Sequence, residues 1–449
     1  MDLKLKSRTG LLAFIFLYPI TPWYIAIGPL NLVNLLSIGF IIWWILCSDA
    51  KIASFSRTSL FFWIYLIVYS VQALYDASLL RAIAYITAQL IVCVILYSEI
   101  RKQEILDNTL DMMIYAGGIL CVTGIFEELT RINIFHIISR LDASYFYSEV
   151  RLGFFRIATS FSHPIVYCTY LCFIAGLVVY RLNKIDNQKQ VRIFKVIYVL
   201  VLLNALFTMS RSTLLVLIVE QIILVYKTGN MKFSKKRLLI FLVIVVVFTG
   251  AFALELPVME KLKDIGYMFM ALFDNKYTSL FSTFFGMNES GIGNRMDLYY
   301  WVADAVKGHE FLGMGTSTEF AYSVHAVDSK WYYFYTWTKT SIENEYLYNY
   351  YIHGLIGLVT FSLCMISSIL YAFKTNRLRR NLRNHVNVYN EKTLTFSSVM
   401  CTLLIGYMVT LFSVRSSDNV RMFNTLMCLL FGYYFDLKRL RVGENIDGK

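Results

Sequence analysis

The stretch "TMSRSTLLV", Thr208–Val216, lies inside a long apolar run, with "VIYVLVLLNALF" before it and "LLVLIVEQIIL" after it. A charge at the centre of a bilayer is disfavoured by roughly 2.5 kcal/mol or more, so the position of Arg211 decides how the chain is folded. Read as one helix, 193–226 would be about 50 Å long at 1.5 Å per residue, too long for one crossing. It would also put the basic segments "RLNKIDNQKQVRIFK" and "KTGNMKFSKKR" on opposite faces, against the bias of Lys and Arg toward the cytoplasmic side. A break at "MSRS" removes both conflicts. Arg211 then sits at the tip of a helical hairpin, at the outer membrane surface. Two readings stay open for it there. One is an interfacial arginine snorkelling to water. The other is an anion-binding arginine with Ser210 and Ser212 adding hydroxyl donors.

The rest of the composition agrees with that hairpin. The chain has 449 residues, 57% apolar and only 16% charged, with a mean hydropathy of +0.56. Soluble domains carry about 25% charge. Apolar runs recur, each long enough for roughly 30 Å of hydrocarbon. The sequence predicts an all-α polytopic membrane protein, a single transmembrane domain over 1–449 with about twelve spans. They fall near 11–28, 30–47, 59–75, 82–98, 110–126, 160–180, 193–208, 212–226, 238–254, 344–373, 394–413 and 421–436. The tenth is long enough to tilt or to begin above the membrane. The run after "MDLKLKSR" has no small-residue cleavage site and reads as the first span.

With both termini cytoplasmic, most of the 42 Lys and Arg lie inside, including those of "KTNRLRRNLRNHVNVYNEK". The formal charge of +12 is therefore topological, and nucleic acid is not expected as a partner. Outside lie a smaller segment, 127–159, and a large loop, 255–343, between helices 9 and 10. The large loop is too long for an idle connector and reads as short helices and turns. "NRMDLYYWVADAVK" (294–307) has a helical pattern with Asn294 at its cap. "GHEFLGMGTSTEF" (308–320) carries turn glycines, which serve turn geometry or, less specifically, cradle a phosphate. "KWYYFYTWTK" (330–339) packs six aromatics into ten residues. They belong to a headgroup belt or stack on sugar faces.

The cysteines exclude several chemistries. All eight fall within spans, so no disulfide framework is expected. No zinc-ligand spacing occurs, and Cys168 with Cys172 reads as packing within one helix. There is no Walker A loop, no Gly-rich dinucleotide turn and no Asp-x-Asp pair. No metal and no cofactor are expected. What remains is a set of outward polar groups: Arg156, His163, Arg211 with Ser210, Arg295, and the run Glu343–Asn344–Glu345. Arg415 and Arg421 flank the short outer turn "SSDNV" and join the set. Arginine suits a diphosphate because its planar fork gives bidentate, charge-assisted hydrogen bonds and keeps its proton.

The order of these pieces resembles the O-antigen polymerase/ligase family of bacterial envelope glycosyltransferases (Wzy-type polymerases and lipopolysaccharide O-antigen ligases). The pieces are "R-x-A-T-S-F-S-H-P" at Arg156–Pro164, "SRS" at Ser210–Ser212, Arg295 with Trp301, "FLGMG" at 311–315 and "ENEYLYNYYIHGLIGL" at 343–358. The resemblance implies a GT-C-like glycosyltransferase of the bacterial inner membrane with a periplasmic active site. The implied donor is undecaprenyl-diphosphate-linked oligosaccharide, with neither nucleotide nor metal, and a chain-length regulator is an implied partner. It also implies that Arg211 and Arg295 hold the diphosphate. In ligases a histidine fills the slot of Glu343. An acidic residue before Asn344 is nearer to what polymerases show, so polymerase is the first expectation. An O-antigen ligase acting on lipid A-core is the alternative, and a flippase or other transporter a third.

Glycosyl transfer needs a base near the acceptor hydroxyl and stabilisation of the departing anion. The sequence therefore nominates Glu343 as base and Arg211 and Arg295 as diphosphate clamp. Arg156, Ser210, His163, Asn344, Glu345, Arg415 and Arg421 are the surrounding binding candidates. A bidentate clamp depends on the fork and not only on charge. An Arg295→Lys strain is expected to lose most of its surface polymer on a silver-stained gel. Wild-type polymer would reduce Arg295 to a surface charge.

Overall fold

The break at Thr208–Ser210 is present. In the computed structural model, Gln188–Phe207 (α9) and Arg211–Lys227 (α10) are separate helices. Met209 between them takes a left-handed φ of +50° and Ser210 is extended. The structure describes residues 3–27, 30–48, 50–55, 59–76, 79–103, 105–139, 150–151, 154–228, 292–328, 333–382, 394–415 and 417–447.

The other helices are Leu3–Leu17 (α1), Leu32–Cys47 (α2), Leu60–Asp76 (α3), Leu79–Tyr85 (α4), Val92–Gln103 (α5), Leu106–Thr130 (α6) and Ile134–Ile137 (α7). Beyond them come Pro164–Lys184 (α8), then Ile292–Ala305 (α11), Glu345–Leu382 (α12), Phe396–Thr410 (α13) and Val420–Asp447 (α14). A π-helical turn, Ile86–Ile91, joins α4 to α5. Among the described residues, five helices are long and apolar enough to cross a bilayer: Ala82–Arg101, α6, α8, α9 and α12. Shorter apolar helices lie at Arg8–Leu17, Leu32–Cys47, Leu60–Leu74 and Phe396–Thr410. The span expected at 238–254 lies outside the described residues. The first span differs from expectation. Its helix stops at Leu17 rather than running to 28, because Pro19 and Pro22 follow within five residues and cannot donate to a continuing helix.

Helix α8 is the axis of the bundle, 89% buried along its apolar window. It packs against α6, α9, α10 and α13. Asn204 of α9, fully buried, ties that helix to α6 and α8. Its amide donates to the Cys121 carbonyl at 3.1 Å and its oxygen accepts from the Tyr167 hydroxyl at 3.1 Å. Gly124 makes this possible, since a side chain there would collide with the Asn204 oxygen. At the far end of α8, about 25 Å along it at 1.5 Å per residue, Arg181 forks onto Asp111 at 2.6 and 2.9 Å. It also meets Asp107 at 3.1 Å. Outward faces are apolar: Leu46, Val71, Val122 and Val196 are each more than half exposed. Exposed apolar area on that scale marks an interaction surface, here the acyl chains.

The loop before α12 corrects one expectation. Helix α11 forms where expected, but the stretch after it is not only helices and turns. Tyr322–Asp328 (β5) and Tyr333–Lys339 (β6) form an antiparallel hairpin, with Tyr322 opposite Lys339 and Asp328 opposite Tyr333. Alternation of apolar with polar residues, a strand signal, runs through Tyr322–His325 and Tyr335–Thr338, and the aromatic clustering obscured it. The ring positions of 331–337 lie outside the described side chains. Two shorter hairpins pair Ala26–Ile27 with Leu30–Asn31 (β1, β2) and Val150–Arg151 with Phe154–Phe155 (β3, β4).

The length of the tenth span also finds its reason. Helix α12 is broken at Gly354, whose φ of +63° and ψ of −161° are open essentially to glycine alone. The segment 309–315 pairs with the break. Met314 and Gly315 donate to the carbonyls of Tyr351 and Ile352 at 2.8 and 3.0 Å, and Leu355 donates to Glu310 at 2.7 Å. The glycines of "FLGMG" thus serve close backbone approach. A Cβ on Gly313 would meet Ile352 and Gly354 backbone at 2.5 Å. Gly354→Ala is expected to lower the melting temperature in detergent, with the backbone conformation alone worth about 1–3 kcal/mol. Gly39→Ala, where a Cβ meets nothing within 4 Å, is the control and should melt at or above the wild type. Equal melting of both variants would remove the strain argument.

Candidate functional site

Two buried carboxylates shape the "RIATSFSHP" loop. Glu127, near the end of α6, accepts from the amides of Ala158 and Thr159 at 3.0 and 2.8 Å, and from Asn133 at 3.0 Å. Asp418 accepts from the Ser162 amide at 3.2 Å and its hydroxyl at 2.9 Å. Carboxylates accept such bonds well because they are charge-assisted. His163 caps α8, its Nδ1 accepting from the Ile165 amide at 3.1 Å. This places it in the helix start.

Arg156, 3% exposed, donates from Nε to the Thr208 carbonyl at 3.0 Å. It therefore holds the Thr208–Ser210 turn. Ser210 is buried and donates to the same carbonyl at 3.2 Å. Arg211 is half-buried at the start of α10. Next to it, Ser212 meets the Ser413 hydroxyl at 3.2 Å.

The turn after α13 is where the separate motifs meet. The Leu411 carbonyl accepts from the Glu345 amide at 2.9 Å. The Phe412 carbonyl accepts from Asn344 Nδ2 at 3.1 Å. Asn344 also donates to the Tyr299 hydroxyl at 3.2 Å, and its oxygen accepts from the amides of Tyr346 and Leu347 at 2.9 and 3.1 Å. Asn344 is thus the N-cap of α12 and the link to α11. Arg295 lies four residues before Tyr299 on that helix, and its side chain lies outside the described residues.

Beside this hub opens a cavity of about 300 Å³. Its walls include Tyr65, Tyr69, Tyr85, Gln89, Ala73 and Tyr348. Glu345, Asn349, His353, Arg415 and Thr316 add further polar groups. Two irregular helices make room for it: the π-helical turn carries Gln89, and the Gly354 break follows His353. Glu345, 5% exposed, accepts from Asn349 Nδ2 at 3.4 Å. Asn349 in turn accepts from the Tyr69 hydroxyl. Arg415 lies 3.7 Å over the Tyr348 ring and donates to its hydroxyl at 2.7 Å. Such stacking is worth about 0.5–1 kcal/mol at an exposed site.

Of the expected site residues whose side chains are described, Glu345 and Arg415 line this cavity and the others do not. Glu343 is tethered by Lys339 and by the Ser341 hydroxyl at 2.8 Å and does not line the cavity. Arg421, buried among the helices, donates to the carbonyls of Tyr18 (3.2 Å) and Thr21, clasping the end of α1. Sequence reading missed Glu127, Asp418, Tyr69 and Gln89. Asp418 was visible in "SSDNV" and Glu127 as the first of two adjacent acids, Glu127–Glu128, at a span end, but neither shows its loop partner in sequence. Among the described residues no group of three His, Cys, Asp or Glu forms a metal site.

The fold and site define a helical protein with membrane-length apolar helices and a cavity walled by aromatic rings and a few buried polar groups. Residues 196–362 match the family model described as O-antigen ligase. That match supports placing the protein in the O-antigen ligase/polymerase family, and it contains Arg211, Arg295 and Asn344. No curated protein matches the chain.

Asn344→Ser keeps a capping oxygen but removes the amide donor to Tyr299 and Phe412. The capping oxygen is kept, but the two donated hydrogen bonds are lost, a cost of about 1–3 kcal/mol, so the protein should melt several degrees lower yet still fold, while polymer yield per folded protein falls at least ten-fold. Unchanged polymer would show that the hub is only a helix cap.

Proposed function

We propose that the protein is a surface-polysaccharide polymerase that joins undecaprenyl-diphosphate-linked repeat units at the outer face of a bacterial inner membrane. Both termini are then cytoplasmic and the α13–α14 turn faces the periplasm. The observation that supports this most is the meeting of Ser212, the neighbour of Arg211 in the chain, with Asn344–Glu345 and Arg415 around the 411–415 turn. Cationic forks and a buried carboxylate at one bundle end suit a substrate whose leaving group is a diphosphate and whose nucleophile is a hydroxyl.

In this reading Arg211 and Arg295 hold the diphosphate of the donor, and Arg156 positions Arg211 through the Thr208 carbonyl. The acceptor hydroxyl oxygen attacks the anomeric carbon. The bond from that carbon to the phosphate oxygen breaks, and undecaprenyl diphosphate leaves with the electron pair. The hydroxyl proton passes to a carboxylate. Of the two acids flanking Asn344, Glu345 is the better base, because it lines the cavity while Glu343 is paired with Lys339. The matched family's description favours a second reading, transfer of the glycan to lipid A-core by a ligase.

The test is purified protein with lipid-linked repeat units, rates normalised to folded enzyme. Base catalysis is typically worth about 10²–10⁴-fold. Glu345→Gln should drop by that much and Glu343→Gln should stay within a few-fold. The reverse result would return the base to Glu343. Wild-type protein that extends no chain but glycosylates added lipid A-core would establish the ligase reading instead.

A further inference from the structure

We infer that the cavity between α3, the π-helical turn and the first turns of α12 is a binding subsite for a single sugar residue of the acceptor glycan. The inference rests on the glycosyl-transfer reading and names what part of the substrate enters.

Three classes of occupant can be compared on the lining. A lipid tail fits poorly. Glu345, Asn349 and His353 are 5%, 2% and 6% exposed, and setting a hydrocarbon against buried polar groups leaves them without compensating hydrogen bonds. A diphosphate fits poorly as well. The lining holds one cation, Arg415, and one carboxylate, Glu345, so no excess positive charge faces the space. A sugar meets both features present. It has apolar ring faces, which stack on aromatic side chains, and here Tyr65, Tyr69, Tyr85 and Tyr348 supply rings. It has a rim of hydroxyls that both donate and accept, and the lining offers Arg415 as donor, Glu345 as acceptor and the amides of Gln89 and Asn349 as both.

A further observation points the same way. Nδ1 of His353 is buried and makes no hydrogen bond within the protein, although buried polar groups are nearly always satisfied. The ring lines the cavity and lies 4.0 Å from the Tyr69 ring, centroid to centroid. A sugar hydroxyl would complete it. Size sets the number of units. Ligand pockets run from about 300 to 1,000 Å³, so this one is at the small end, room for one ring and not for a chain. A hydroxyl of that ring beside Glu345 is the one placed to attack.

The experiment uses the full-length protein in detergent. The probe is the repeat-unit oligosaccharide released by mild acid from the cells' own lipid-linked donor, with farnesyl diphosphate as the lipid-diphosphate probe. Binding is read by saturation-transfer NMR and titration. Wild type should bind the free oligosaccharide. Gln89→Ala, which removes a hydroxyl partner, and Ala73→Phe, which fills the space, should each weaken it at least ten-fold while farnesyl diphosphate binding stays within two-fold. Thermal melts of both variants show that they fold, and Tyr85→Leu, which removes one stacking ring, stands in for either that does not. Oligosaccharide binding unaffected in the folded variants overturns the subsite and leaves the polymerase reading standing. Weakened binding in a protein that elongates no lipid-linked repeat supports the subsite and overturns the polymerase reading.

Discussion

Helix ends govern this structure. The last carbonyls of an α-helix have no partner within it, and in a membrane protein no bulk water is at hand to satisfy them. Here side chains from distant parts of the sequence do so. Phe412 and Leu411, at the end of α13, are met by Asn344 and the Glu345 amide. Thr208, at the end of α9, is met by Arg156, and the residues after α1 by Arg421. Each contact satisfies a carbonyl and, at the same stroke, sets where a polar segment lies. The site is built out of the requirement to finish helices.

That requirement separates arginines that look alike in sequence. Arg156, Arg211, Arg415 and Arg421 all border apolar runs. Arg156 and Arg421 are buried against carbonyls. Arg415 is exposed, stacked on Tyr348 at the cavity rim. Arg211 is half-buried beside the Ser212–Ser413 contact. Charge and fork are the same in all four, and only the neighbouring backbone decides which hold the scaffold.

The cavity depends on departures from regular helix. A straight α12 would carry Tyr348 through Ile352 past α3 on a uniform surface. The break at Gly354 and the π-helical turn at Ile86–Ile91 interrupt both surfaces where Gln89 and His353 face the same space. Departures of this kind cluster at functional sites. The docking of 309–315 onto the break joins the loop after α11 to the membrane helices. Loop and cavity wall are therefore parts of one arrangement.

Much of the fold was legible in the sequence because it follows from local physics. Hydropathy and length located the apolar helices, and the conflict between helix length and flanking charge located the break at Thr208–Ser210. Pro19 and Pro22 carried the early end of α1, though periodicity alone overran it. The strand pair at 322–339 was legible in its alternation, but its aromatics also fit a belt or a sugar face. The site was legible as a set of pieces and not as an arrangement. Sequence spacing named Arg211, Asn344 and Glu345, yet it could not tell Glu343 from Glu345, two residues apart. Their difference comes from where the helix starts. Asn344 caps α12, so Glu345 turns inward with the first helical residues while Glu343 stays outside beside Lys339. That placement depends on the Leu411 and Phe412 carbonyls, more than sixty residues away in the chain, and only tertiary packing brings them there.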